Sequence, residues 1–145
     1  MKKTILAANW KMYLNEDTSI DFVKKMNSNR ESFSKSEVIL FPSHTCISQV
    51  QDNIDIENIK LGMQDCDINT KGAYTGAVSI HSLSGIDFCI VGHSERRLLY
   101  NESDESVKNK LETVINSNVG AILCVGETKE QKNDNNTFNV IDAQL

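Results

Sequence analysis

The run Gly92-His93-Ser94-Glu95-Arg96-Arg97 gathers a titratable ring, a hydroxyl, a carboxylate and two guanidinium groups. It follows Asp87-Phe88-Cys89-Ile90-Val91, an apolar stretch that reads as a buried strand. A histidine placed where such a strand gives way to a loop and a helix stands in the mouth of an α/β fold. Ligands collect there, outside the carboxyl ends of parallel strands. A second run, Ala8-Asn9-Trp10-Lys11-Met12, closes the first apolar stretch and puts an amide and an ammonium at the same rim. Such a set suits proton transfer at the ring with negative charge held by the cations.

Positioning these groups falls to a repeating βα pattern. Strands are expected at residues 4–9, 38–41, 59–63, 88–91 and 121–125, mostly continuous apolar runs, as parallel strands covered on both faces require. Between them, Ile20, Val23 and Met26 share a helical face, with Thr18 and Asp21 spaced as a capping box. Ile47, Val50 and Ile54 follow the turn at Pro42-Ser43. Val107, Leu111, Val114 and Ile115 form the cleanest helical stripe, capped by Ser103 or Asp104. The connection 64–79 holds Gly72, Tyr74 and Gly76 without apolar periodicity and is far longer than the usual loop of roughly 2–6 residues, which marks it as a functional or interface element. After a polar stretch at 128–136, a helix pattern with Phe138, Ile141 and Leu145 restarts and reads as cut in mid-pattern.

With 145 residues the chain suffices for a single domain, 1–145. Its net charge of −5 argues against nucleic acid or an acidic membrane as partner, so an anionic substrate would need a local cationic pocket. The start, Met1-Lys2-Lys3-Thr4-Ile5-Leu6, is broken at once by Asn9, Trp10 and Lys11; it reads as a strand, not a signal peptide, and the protein as cytoplasmic. Cys46, Cys66, Cys89 and Cys124 lack ligand spacing and read as core thiols, so neither metal nor disulfide is expected.

Four segments, Asn9-Trp10-Lys11-Met12, Gly72-Ala73-Tyr74-Thr75-Gly76, the 92–97 run and Cys124-Val125-Gly126-Glu127, stand in the order and spacing of the triosephosphate isomerases, and the chain resembles that family along its whole length. The resemblance implies an α/β fold, the eight-fold TIM (β/α)8 barrel of roughly 250 residues, present here as an incomplete N-terminal portion of about five βα units. It implies no cofactor, a small phosphorylated triose as substrate, and a homodimer at full length. By the same resemblance His93 polarises the substrate carbonyl and shuttles a proton. A neutral histidine electrophile is that family's well-known pattern and is borrowed from it here. Lys11 would stabilise the enediolate and hold the phosphate, Asn9 would bind substrate, and Glu95 would position Lys11 or relay protons.

The Tyr74-Thr75-Gly76 tip would insert into a second subunit, with Thr75 supporting Asn9, Lys11 and Glu95 there. Ala77 departs from the family, which commonly has Glu after Thr-Gly, so one charge partner of Arg96 is expected to be lost. The family's general base, lid and phosphate loops do not fall within residues 1–145, and Glu127 matches a structural position. The chain is therefore expected to be inactive alone, and its bare sheet edge to favour aggregation or pairing with another copy. Arg96 and Arg97 are read as ion-pair partners of nearby carboxylates, Trp10 as packing, and His44 and His81 are given no role. A half-barrel that only binds anions, and another barrel enzyme acting on a sugar phosphate, are the competing readings.

Overall fold

Apolar runs form five strands that fold into one parallel array, with the three central strands the most deeply buried. The computed structural model describes residues 4–145; Met1, Lys2 and Lys3 of the opening run lie outside the described residues. Strands β1 (Thr4–Asn9), β2 (Ser36–Phe41), β3 (Ile59–Met63), β4 (Phe88–Val91) and β5 (Gly120–Leu123) lie in the order β1-β2-β3-β4-β5. Every pair is parallel, with Asn9 opposite Phe41, Leu40 opposite Leu61, Met63 opposite Cys89 and Val91 opposite Leu123. The sheet curls into a half-barrel, an incomplete portion of a TIM barrel. All carboxyl ends therefore open onto one rim.

Strand alternation sorts the core into layers. Ile39, Phe41 and Ile90 pack with Phe88, Ile122 and Cys124 on the face that no helix covers, which is the inside of the curl. Val38, Leu40 and Leu61 face outward against Val23 and Met26 of α1 (Glu16–Ser28) and Val50 of α2 (Ile47–Asn53). Cys89 and Val91 do the same against Val107 and Val114 of α4 (Asp104–Asn116). Trp10 is buried in the first of these outer layers and meets Phe22 edge-on, with ring centroids 5.1 Å apart.

Three local expectations are corrected. The capping box of α1 is Asn15 with Thr18, not Thr18 with Asp21: Asn15 Oδ1 accepts the Thr18 N–H at 3.0 Å and Thr18 Oγ1 accepts the Asn15 N–H at 3.0 Å. Both pairs have the right spacing, and the helix starts one turn earlier because Asn15 adopts the extended backbone a cap needs. In α4, Ser103 is the cap, but the stripe is rotated: Ile115 is 58% exposed while Lys110 is 6% exposed. A charged cluster described below draws Lys110 inward. Finally, β5 begins at Gly120 and ends at Leu123, so Cys124 and Val125 already belong to the exit loop.

Between β3 and β4 the chain runs without a helix. Val78, Ile80, Leu83 and Ile86 nevertheless pack into the outer core, so this connection is a folded wall. At the two flanks apolar surface is bare. Ile5 and Leu6 of β1 are 58% and 46% exposed beside a groove of about 340 Å³. On the helix Thr137–Gln144, Phe138 is almost fully exposed. Among the described residues no helix is long and apolar enough to cross a membrane.

Candidate active site

Gly92 turns the chain out of β4 with φ +71°, a conformation that side chains strongly resist. His93 follows as the N-cap of α3 (Ser94–Leu99), and its Nδ1 accepts the Glu95 backbone N–H at 3.2 Å. With Nδ1 serving as acceptor, the hydrogen of a neutral ring is assigned to Nε2, which is free to donate. A Cβ at position 92 would lie 2.8 Å from Val107 Cγ1 and 3.1 Å from Arg97 Nη2. Gly92→Ala is therefore expected to destabilise the chain by about 2 kcal/mol through backbone strain and crowding. Urea unfolding of the purified variant measures this, and an unchanged midpoint would contradict it.

At the end of β1, Lys11 takes the left-handed conformation with φ 53°. Two side chains hold it there: Asn9 Oδ1 accepts the Lys11 N–H at 2.9 Å, and Gln64 Nε2 donates to Lys11 O at 2.8 Å and Phe41 O at 2.9 Å. Gln64 escaped the reading of the sequence. Its only signal was its place directly after a buried strand at the same rim. So oriented, Lys11 Nζ reaches Glu95 Oε1 at 2.6 Å, and Glu95 Oε2 lies 3.5 Å from His93 Nδ1. The hydrogen bond and charge of Glu95 raise the Lys11 ammonium above the usual lysine range, and the hydrogen bond from Lys11 holds the Glu95 carboxyl below the usual carboxylate range. Both groups are substantially exposed, so water screens the pair and its share in stability is small.

Behind this pair lies a buried charge cluster. The Arg96 guanidinium meets Asp65 Oδ2 at 3.1 Å and Glu102 Oε1 at 3.0 Å, and stacks over the Tyr100 ring at 4.5 Å. Lys110 Nζ meets Asp65 Oδ1 at 2.7 Å and also contacts Glu102. Arg96 thus has two carboxylates within its own chain despite Ala77. Burial lifts the Asp65 carboxyl above its usual range and outweighs Lys110. Burial opposes ionisation of Glu102 too, but Lys110 and Arg96 prevail and hold it below the usual range. Arg97 donates to Gly92 O at 2.8 Å and pairs with Asp104, stapling the turn beneath His93.

Asn9, Lys11, His93 and Glu95 converge on one cavity of about 670 Å³. Of the long connection's tip, Gly76 lines the cavity while Tyr74 and Thr75 stand outside it. Gly76, at φ +86°, completes the turn closed by the Ala77 N–H to Tyr74 O bond of 3.0 Å. His44 lines the same cavity, whereas His81 and Glu127 do not. His44 bonds Asp65 O at 2.9 Å, His81 bonds Ser117 Oγ at 3.3 Å, and Glu127 accepts from Thr137 Oγ1 at 3.1 Å. All four cysteines are free thiols, three of them buried, and among the described residues no cluster could hold a metal ion.

A family model described as triosephosphate isomerase matches residues 4–145. The chain belongs to the triosephosphate isomerase family. Triosephosphate isomerases of Alkaliphilus oremlandii and Clostridium perfringens are 39% and 37% identical to it, each over the whole chain and 59% of the relative. That of Buchnera aphidicola is 39% identical over the whole chain and 58% of the relative. The chain thus spans less than two thirds of the triosephosphate isomerases it matches.

Proposed function

We propose that this chain carries the carbonyl-polarising half of a triosephosphate isomerase, a cytoplasmic enzyme of glycolysis and gluconeogenesis that interconverts dihydroxyacetone phosphate and glyceraldehyde 3-phosphate. The observation that carries this reading is the Nδ1 acceptor geometry of His93 beside the Lys11–Glu95 pair, on one cavity. Moving a proton between adjacent carbons passes through an enediolate, whose oxygens need a donor and a nearby cation. Here Nε2–H of His93 donates to the carbonyl oxygen, and Lys11 offsets the charge of enediolate and phosphate. Asn9 shapes Lys11 and adds an amide. Glu95 steers both Lys11 and His93. The general base, lid and phosphate loops belong to the part of the barrel that residues 1–145 do not span, and these residues alone do not turn over.

The whole enzyme is read as a homodimer of single-domain barrels, in which Tyr74, Thr75 and Gly76 of one copy seat against the rim of the other. Large apolar side chains around the cavity mouth support this: Met12 and Tyr13 are 95% and 85% exposed, and Leu99 is 70% exposed.

A chimera joining residues 1–145 to the remainder of the Alkaliphilus oremlandii relative tests the assignment. It is expected to isomerise dihydroxyacetone phosphate in a coupled assay, whereas residues 1–145 alone are expected to show no turnover. A folded but inactive chimera, or activity in the 145-residue chain, would sink the reading.

A further inference from the structure

Two thiols behind the cavity wall take no part in the mechanism above. Cys89 stands in β4 opposite Met63 of β3, and Cys66 follows Met63 by three residues at the start of the long connection. Both side chains join the outer core layer beneath α4, with Met63, Ile80, Val91 and Val107. There the two thiols hydrogen-bond one another. This bond favours the thiolate at Cys66 and holds that thiol below its ordinary range, whereas the same bond and burial keep Cys89 protonated, above its ordinary range. Access differs as well: Cys66 is 2% exposed and lines the cavity, while Cys89 is fully buried. Of the other two cysteines, Cys124 packs on the inner face of the sheet and Cys46 caps α2.

We propose that Cys66 and Cys89 are an attacking and a resolving thiol, and that hydrogen peroxide entering the cavity converts them into a disulfide. The Cys66 sulfur attacks one peroxide oxygen and the O–O bond breaks. The departing hydroxide takes up the proton that Cys66 has shed and leaves as water, and Cys66 becomes a sulfenic acid. Cys89 then gives up its proton and attacks the Cys66 sulfur, the S–O bond breaks, and a second water leaves. Two thiols are oxidised and one peroxide is reduced to two waters. The slight exposure of Cys66 admits only a small oxidant, and Cys89 meets it only through Cys66. The new bond fastens the exit of β3, which carries Gln64, to β4, which delivers His93 to the rim. A thiol reductant reopens it, so in a reducing compartment the tie is transient.

Mass spectrometry of the 145-residue chain treated with hydrogen peroxide, in buffer and in urea, tests this. In buffer the intact mass is expected to fall by about 2 Da, the two hydrogens lost when a disulfide forms. Tryptic digestion without reduction should then yield residues 61–71 joined to residues 72–96, with Cys46 and Cys124 still open to alkylation. Each cysteine lies on a different tryptic peptide, so the pairing is read directly. In urea the preference for this pair should vanish. Cys89→Ser is expected to keep the attacking step and lose the resolving one, leaving a Cys66 sulfenic acid that dimedone traps. Cys66→Ser is expected to slow oxidation of Cys89 about tenfold or more, because the thiol that remains is protonated and out of reach. Disulfides in buffer that match those formed in urea, a Cys89 thiol that oxidises equally fast without Cys66, or no loss of mass would each overturn the proposal.

Discussion

A chain carrying Lys110→Met is expected to lose about 3–5 kcal/mol of unfolding free energy at neutral pH, the usual cost of removing one member of a buried ion pair. Methionine nearly matches lysine in volume, so the loss is electrostatic and not a cavity effect. Asp65 and Glu102 would be left with Arg96 as their remaining cation, and Glu102 Oε2 is already buried without a partner. The pH dependence follows from the two carboxylates. Glu102 is held below its ordinary 4.5, so its contribution is full above that value and is lost as pH falls through the lower folded one. Asp65 is held above its ordinary 3.8, so its ionisation opposes folding, and that opposition fades as pH falls through the raised folded value. Protonated carboxyls need no cation. The gap between Lys110→Met and its parent should therefore narrow in acid, which urea unfolding at pH 7 and about pH 4 measures. A gap under about 1 kcal/mol at neutral pH would place the cluster among pairs of little consequence.

In the chimera, His93→Ala is expected to lower turnover about 100- to 1000-fold, the typical effect of losing one donor aimed at a developing oxyanion. The Michaelis constant should move far less, because the donor acts most strongly once charge has built up on the oxygen. Glu95 would stay near Lys11, since that pair does not pass through the imidazole. Alanine also removes the N-cap acceptor of α3, so unfolding must be measured in parallel to separate loss of catalysis from loss of the turn. A His93→Ala chimera that keeps most of its turnover would remove His93 from the mechanism.

Strand identity and the rim residues were legible because they depend on local pattern. A continuous apolar run specifies a buried parallel strand, and the residue after it lands on the rim whatever the rest does. Asn9, Lys11, His93 and Glu95 could thus be named, and the structure brings them onto one cavity. What escaped were side chains whose partners lie far away in sequence. Lys110 sits among residues of a helical face that look solvated, and it turns inward to Glu102 and to Asp65, the latter 45 positions earlier. Gln64 bonds a carbonyl 53 positions before it, a contact no local window contains. The α1 cap failed for another reason: Asn15 and Thr18 compete for the same spacing, and the chain's exit from the first strand decides between them.

Strand order in this sheet is the order of synthesis. Each of β2 to β5 has one neighbour already laid down when it leaves the ribosome, so none of these four must wait for a distant part of the chain before it can pair. Assembly can advance from the amino end one βα unit at a time, with the newest strand as the growing front. The flank at Ile5 and Leu6 has no place in that sequence of events and stays open while these five strands assemble. For a nascent chain, the stretch most in need of a chaperone's cover is therefore its oldest strand, not its newest.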